Sequence, residues 1–348
     1  MSKEIEKRLL IATVLFSIVA IVFMLYLKID VSPQLVENNG WEEPEEDKTV
    51  SIGKKIPYLS GTSEDHELLI ALPEASSERN ISVTRNDLQK MIGFSIDGMT
   101  ETFLQENGIM GDNSFITDMY YDKTKEGVVL FFETDHVYAY EMSKEEGILH
   151  IQFMKPSQKS KRIVLLAPSY GEVGENTKEY EYAQKITLDV AQKVQMLADE
   201  SDIDIYLTKC GDVDVSDEDV VSLGKEIGAD VIVGLEVSYS EDAKEYGIKT
   251  LYNGTFFIPN FGSGDLAYHI EEALQKKVPT KALGIEAYEE NSGLLQKATL
   301  PVCIVRLGYV SNEKEFSNLN LDEYKKELAE GLLAGIDTAF VQKETGEQ

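Results

Sequence analysis

The sequence predicts an α/β fold: a three-layer α/β/α domain with a mainly parallel sheet, preceded by a small β-rich domain and an N-terminal transmembrane helix. Three observations lead there. Residues 9–27 form a charge-free apolar run. Residues 63–156 break into short alternating strands. From residue 161 the pattern changes to strand, helix, strand, helix.

The apolar run is LLIATVLFSIVAIVFMLYL, 19 residues, about the length a helix needs to cross the hydrocarbon core. Lys3, Lys7 and Arg8 precede it, and an acidic stretch follows Lys28. That bias puts residues 1–8 in the cytoplasm and the rest of the chain outside the cell, at the membrane. A cleaved signal peptide is the competing reading. The run is long for one, and no small-x-small site follows it, so an uncleaved anchor is expected.

Residues 28–62 are polar and acidic, punctuated by Pro and Gly, with Trp41 as the only Trp. They read as a solvated linker. The net charge of −29 leaves no basic footprint for nucleic acid. The two cysteines, Cys210 and Cys303, do not make a disulfide framework.

Over 63–156, HELLIALP, GVVLFFETD, HVYAYEMS and ILHIQFMKP are β-rich runs separated by turn residues. VTRNDLQKMIG, with Thr84 as a cap, reads as a short helix or loop insertion. From 161, KRIVLLAP, IDIYLT, ADVIVGLEVS, GIKTLYNGTFFIP and LPVCIVRLGYV read as strands. Between them, Ile186, Val190, Val194 and Leu197 sit at helical spacing. SDEDVVSLGKEIG is a helix capped by Ser216, GSGDLAYHIEEALQKK is another, and LDEYKKELAEGLLAGIDTAFVQ closes the chain as an amphipathic helix.

Three loop segments in this order carry a resemblance. LTKCGDVDVS (207–216), GADVIVGLEVS (228–238) and PVCIVRLGYVSNEKE (301–315) resemble the L-T-R-x-x-D-x-x-V-S, A-D-L-F-V-S-I-H-A-N and P-A-V-L-V-E-x-G-F-I-S-N segments of the zinc-dependent N-acetylmuramoyl-L-alanine amidases. These are the cell-wall enzymes often called Amidase_3, which cut the amide between muramic acid and the first alanine of the stem peptide. The resemblance covers 161–343. The strand pattern of 116–153 resembles the small AMIN-like β domain found upstream of such amidases, giving a 63–156 domain of that kind.

The resemblance places this chain's residues at the family's functional positions, and they differ there. Tyr170 stands at the first zinc ligand, where the family has His. Ala183 stands at the second, with Glu181 nearby if the register slips. Glu236 stands at the third, again a His in the family. Arg306 stands where the family has the Glu that activates water.

A catalytic zinc takes about three protein ligands, usually with imidazole among them, and a carboxylate accepts the proton of the attacking water. Tyr is a poor neutral ligand, and Arg cannot act as a base. Of the four histidines, His66, His136, His150 and His269, only His269 falls in this domain, on a helix where a solvent-facing side chain is expected. No metal cofactor is therefore expected.

A buried charge without a partner is costly, so Glu236 and Arg306 are expected to form an ion pair in the vacated metal site. The expected function is a membrane-anchored, non-catalytic amidase homologue whose old cleft, with Tyr170 and Tyr239 as candidates, binds peptidoglycan or a cell-wall protein partner. The alternative is an active amidase with a rearranged zinc site using Glu181 and Glu236. A purely structural scaffold with a filled cleft is a third reading. FGSGD (261–265) is weighed as an anion loop and read as a helix-capping turn.

Overall fold

A computed structural model describes residues 53–60, 66–74, 76, 81–168, 178–209, 215–255, 258–288 and 293–346. The 9–27 run, Trp41, Tyr170 and Cys210 lie outside the described residues. Among the described residues no helix is long and apolar enough to cross a membrane.

Among the described residues the N-terminal part holds ten strands in two five-stranded sheets. They are β1 (Lys54–Lys55), β2 (Tyr58–Ser60), β3 (Glu67–Ala71), β4 (Ile81–Asn86), β5 (Met91–Asp97), β6 (Ile109–Gly111), β7 (Ile116–Lys123), β8 (Gly127–Thr134), β9 (Ala139–Glu145) and β10 (Ile148–Met154). The sheet orders are β1-β7-β8-β5-β4 and β2-β6-β3-β10-β9. Strand alternation sends Phe94, Leu130 and Phe132 of one sheet and Leu68, Ile70, Ile151 and Phe153 of the other into one shared core. The Phe94 and Phe153 rings meet across it at 6.4 Å.

The structure departs from the sequence pattern at two places. Residues 83–93 are not a helix: β4 and β5 pair as an antiparallel hairpin from Ile81↔Ile96 to Asn86↔Met91. The turn is set by Asn86, whose Oδ1 accepts the Gln89 amide at 3.1 Å, a side-chain turn that competes with helix. The β part also begins inside the range read as linker, because β1 pairs with β7 and β2 with β6. One helix in this part gave no strong signal, α1 (Glu101–Asn107), capped by Thr100.

After the short α2 (Pro156–Lys159) comes the α/β part: β11 (Arg162–Pro168), α3 (Lys178–Ala198), β12 (Ile203–Leu207), α4 (Asp217–Ile227), β13 (Val231–Ser238) and β14 (Ile248–Asn253). Then follow α5 (Ser263–Lys277), β15 (Ala282–Tyr288), α6 (Leu294–Lys297), β16 (Val302–Tyr309), α7 (Glu313–Leu319) and α8 (Asp322–Thr345). The sheet order is β12-β11-β13-β16-β14-β15. β14 runs antiparallel to β16; every other neighbouring pair is parallel.

One face of the sheet packs on α3, α5 and α8 through residues such as Val190, Leu266 and Leu332. The other packs on α4 and α6 through Leu223 and Leu294. This is the three-layer arrangement expected of alternating strands and helices. Ser216 caps α4, accepting the Asp219 amide, as its position suggested. His269 departs from expectation: it is half-buried, and its Nε2 bonds Gln342 on α8 rather than facing solvent.

The two parts share a buried polar junction. Asp87, in the β4–β5 turn, takes the Leu207 amide of edge strand β12 on Oδ2 at 2.8 Å. Arg85 lies over the Tyr206 ring at 4.1 Å. Glu226 of α4 accepts the Val137 amide at 3.1 Å and pairs with Lys90 at 2.9 Å.

Candidate functional site

In a parallel sheet flanked by helices, binding sites form beyond the carboxyl ends of the strands. Here β11, β13 and β16 run parallel and end on the same side, at Pro168, Ser238 and Tyr309. On the face covered by α4 and α6, β13 presents Ile232, then Glu236; β16 presents Val302, Ile304, then Arg306. The apolar layer thus gives way to a charged pair near the strand ends.

Glu236 and Arg306 are direct neighbours in register, so their side chains stand on the same face. Arg306 Nε donates to Glu236 Oε1 at 2.8 Å. Ser238 Oγ donates to the same oxygen. Glu236 is only 6% exposed, while the Arg306 side chain keeps 23%. Burial opposes the guanidinium charge, but Glu236 outweighs it, so the Arg306 pKa rises further above its ordinary value.

The row extends across the sheet. Lys249 of β14 is the partner of Arg306 on its other side, and its Nζ holds Glu286 of β15 at 2.7 Å. Lys249, helped by Arg306, holds the Glu286 carboxyl below the usual range. Four strands therefore carry charges in the order minus, plus, plus, minus.

Past Arg306 the ladder shifts: Glu236 pairs Arg306, but Ser238 pairs Tyr309. The extra residue is accommodated at Gly308, with φ +151°. A Cβ there would lie 2.8 Å from Glu315 Cδ, so only glycine fits. Glu315, on α7, fixes the shifted strand by accepting the Tyr309 amide at 2.7 Å and the Gly247 amide at 2.8 Å. The shift turns Tyr309 onto the face of Arg306, with its ring 5.9 Å from the guanidinium carbon.

Of the residues expected at the site, the structure brings Glu236 and Arg306 together. Ala183 is buried in α3 at 6% exposure and carries no ligand atom. Glu181 is exposed on the same helix, and Tyr170 lies outside the described residues. Tyr239, just past β13, is 55% exposed. Tyr182 of α3 meets Phe316 of α7 edge to face at 5.1 Å, giving the same end of the sheet an aromatic pair. The FGSGD turn is a cap: Asp265 Oδ2 accepts the Gly262 amide.

Ser238, Tyr309, Lys249, Glu286 and Glu315 were not anticipated. Only Glu315 had a local signal, three residues after the helix-capping Asn312.

Among the described residues no group of three His, Cys, Asp or Glu side chains could hold a metal ion. The acceptor oxygen of Glu236 is already engaged by Arg306 and Ser238, and a guanidinium beside it repels a cation. The described residues do not fit zinc.

The fold defines the class: a three-layer α/β domain with a mainly parallel sheet. Residues 164–338 match the N-acetylmuramoyl-L-alanine amidase family, and the chain belongs to that family. Solved structures similar to it include the N-acetylmuramoyl-L-alanine amidase from Clostridium difficile 630, at 20% identity and TM-score 0.47, covering 53% of this chain and 98% of that one. N-acetylmuramoyl-L-alanine amidase AmiC2 of Nostoc punctiforme matches at 18% identity and TM-score 0.46, covering 53% and 99%. The CwlD amidase from Clostridioides difficile, in complex with the GerS lipoprotein, matches at 22% identity and TM-score 0.44, covering 52% and 99%. No curated protein matches the chain.

Proposed function

We propose that this family member is a non-catalytic, membrane-anchored cell-wall protein. Its amidase-type cleft binds peptidoglycan without cutting it. One observation carries the reading: Arg306 is ion-paired at 2.8 Å with Glu236, and the sequence resemblance aligns these two with the family's water-activating Glu and its third zinc ligand.

A guanidinium supplies no general base at any accessible pH. Removing Glu236 to make room for a metal ligand would also leave a half-buried positive charge uncompensated. In this reading residues 9–27 anchor the chain, 28–52 tether it, and an AMIN-like β domain presents the amidase-like domain to the wall outside the cell. The aromatic groups at the strand ends, Tyr182 with Phe316 and the exposed Tyr239, suit stacking on sugar rings. A protein partner for the same cleft is the variant outcome.

The test uses the purified full chain in detergent. Metal content is measured alongside release of soluble stem peptide from peptidoglycan sacculi and co-sedimentation with them. The reading expects no stoichiometric zinc, no release and saturable co-sedimentation. Stoichiometric zinc with peptide release would establish a working amidase with a rearranged site instead.

A further inference from the structure

We infer that the edge of the Arg306 guanidinium left open by the described residues is a seat for a carboxylate borne by a peptide. A site that holds a cation in the amidases would then hold an anion here. The inference rests on the cleft being a wall-ligand site, as proposed above, and names the group the cleft recognises.

The geometry is that of a half-used fork. A guanidinium presents five N–H donors in a plane, and a carboxylate that satisfies it fully binds through two parallel bonds. Glu236 does not do so. It takes Nε alone, through Oε1 at 2.8 Å, and Ser238 loads the same oxygen from the other side. The Tyr309 ring flanks the guanidinium carbon at 5.9 Å. No other carboxylate among the described residues reaches Arg306.

The remaining η nitrogens belong to a side chain with 23% of its surface open. That is enough to be touched, and buried enough for a charge-assisted bond to escape most solvent screening.

Two features hold the fork in place, and a third adds to its positive charge. Glu236 is buried and fixed by Ser238. The Tyr309 ring lies 5.9 Å from the guanidinium carbon. Lys249, the cross-strand neighbour of Arg306, adds a second positive charge, itself tied to Glu286. An incoming carboxylate would complete an alternating row across β13, β16 and β14.

The chain's charge of −29 decides which anion fits. It repels polyanions such as nucleic acid or phosphate-rich wall polymers over about one Debye length, ~8 Å. A single carboxylate on an otherwise neutral glycan-peptide is met only at contact, where Arg306 dominates.

The experiment is calorimetric titration of the full chain in detergent. The probes are a disaccharide-tripeptide muropeptide with free carboxylates and the same compound with every carboxyl amidated. The acid is expected to bind at least about tenfold tighter than the amide. The double variant Glu236→Gln/Arg306→Gln leaves no lone buried charge and should erase that difference. Arg306→Lys keeps the pair with Glu236 but not the fork, and should lose most of it. Tyr268→Ala, exposed on α5 away from the strand ends, should change nothing.

Equal binding of acid and amide by the wild-type chain would overturn the carboxylate seat while leaving the wall-binding reading standing. A difference that survives in the double variant would also overturn it. No binding of either compound would sink both.

Discussion

Replacing Asp87 by Ala should destabilise the whole described body, because this one side chain serves both of its parts. Its Oδ1 lies 2.9 Å from Arg85 Nε and Nη2, and its Oδ2 takes the Leu207 amide. The Arg85 side chain is 9% exposed, and its next carboxylate, Asp204, is 3.8 Å away. Removing one member of a buried pair costs about 3–5 kcal/mol. An orphaned Leu207 amide adds part of the ~1–3 kcal/mol of an unmet buried donor. The two losses share one side chain and overlap, while Asp204 recovers some of the first, so we expect about 4 kcal/mol in all.

With a urea slope of about 3 kcal/mol/M, the midpoint should fall by roughly 1.3 M. Asp87→Asn keeps an acceptor for Leu207 and should lose about half as much. The pH dependence has a definite sign. Burial raises the Asp87 pKa, and Arg85 only partly offsets that. The folded-state pKa therefore lies above the unfolded one. Its contribution is present in full below the unfolded pKa, near 4, and declines as pH rises through the folded value. The gap between wild type and Asp87→Asn should accordingly narrow with rising pH. The assay is urea unfolding followed by far-UV circular dichroism, with hydrogen exchange at the Leu207 amide as a local probe. An Ala variant within 1 kcal/mol of wild type, or equal effects of Ala and Asn, would refute the reasoning.

Three other outcomes are expected. Gly308→Ala should cost about 2–4 kcal/mol, from backbone strain and the overlap with Glu315; its urea midpoint should drop and sacculus binding weaken as Tyr309 loses its orientation. Glu315→Gln sets an amide N–H₂ against either the Tyr309 or the Gly247 donor and should cost about 1–3 kcal/mol at low pH. Burial raises the Glu315 pKa, so the wild-type advantage should shrink as pH climbs above the unfolded value, as thermal melts between pH 4 and 8 would show. Arg162 grips Glu344 with both Nε and Nη2 at 2.8 Å and reaches Asp337 of the same helix at 3.0 Å. These partners are more than half exposed, so Arg162→Ala should cost only about 1 kcal/mol, and melts in 1 M NaCl should show less than in 50 mM.

What could be read from the sequence, and what could not, divides along physical lines. KRIVLLAP, ADVIVGLEVS and PVCIVRLGYV are apolar on both faces, and that pattern marks a central parallel strand without outside help. The strands it missed are those whose burial is one-sided or slight. β15 reads ALGIEAY and leaves Ile285 39% exposed at the sheet edge, so no periodicity betrays it. The β4–β5 hairpin contains NDLQK, which is permissive of helix, and pairing with β8 settles its state. Neither the Gly308 bulge nor the row from Glu236 to Glu286 has a local sequence mark, because both arise from which strand lies beside which.

The pair itself shows how far charge reasoning can travel along a chain. Glu236 is the one charged residue in the apolar stretch VIVGLEVS, and Arg306 the one in VCIVRLGY. A buried strand carries such a residue at a cost unless something answers it. Two adjacent strands that each carry one, of opposite sign and at matching depth, answer each other. Matching depth cannot be counted from sequence separation, since the two stand 70 positions apart; it requires strand order and register. The family resemblance supplied both. It also follows that neither residue can be exchanged alone. Arg306→Glu would set two carboxylates side by side on neighbouring strands, and Glu236→His would strip the guanidinium of its partner. Any single exchange therefore passes through a state less stable than the pair, which is a physical reason for the two residues to stay together.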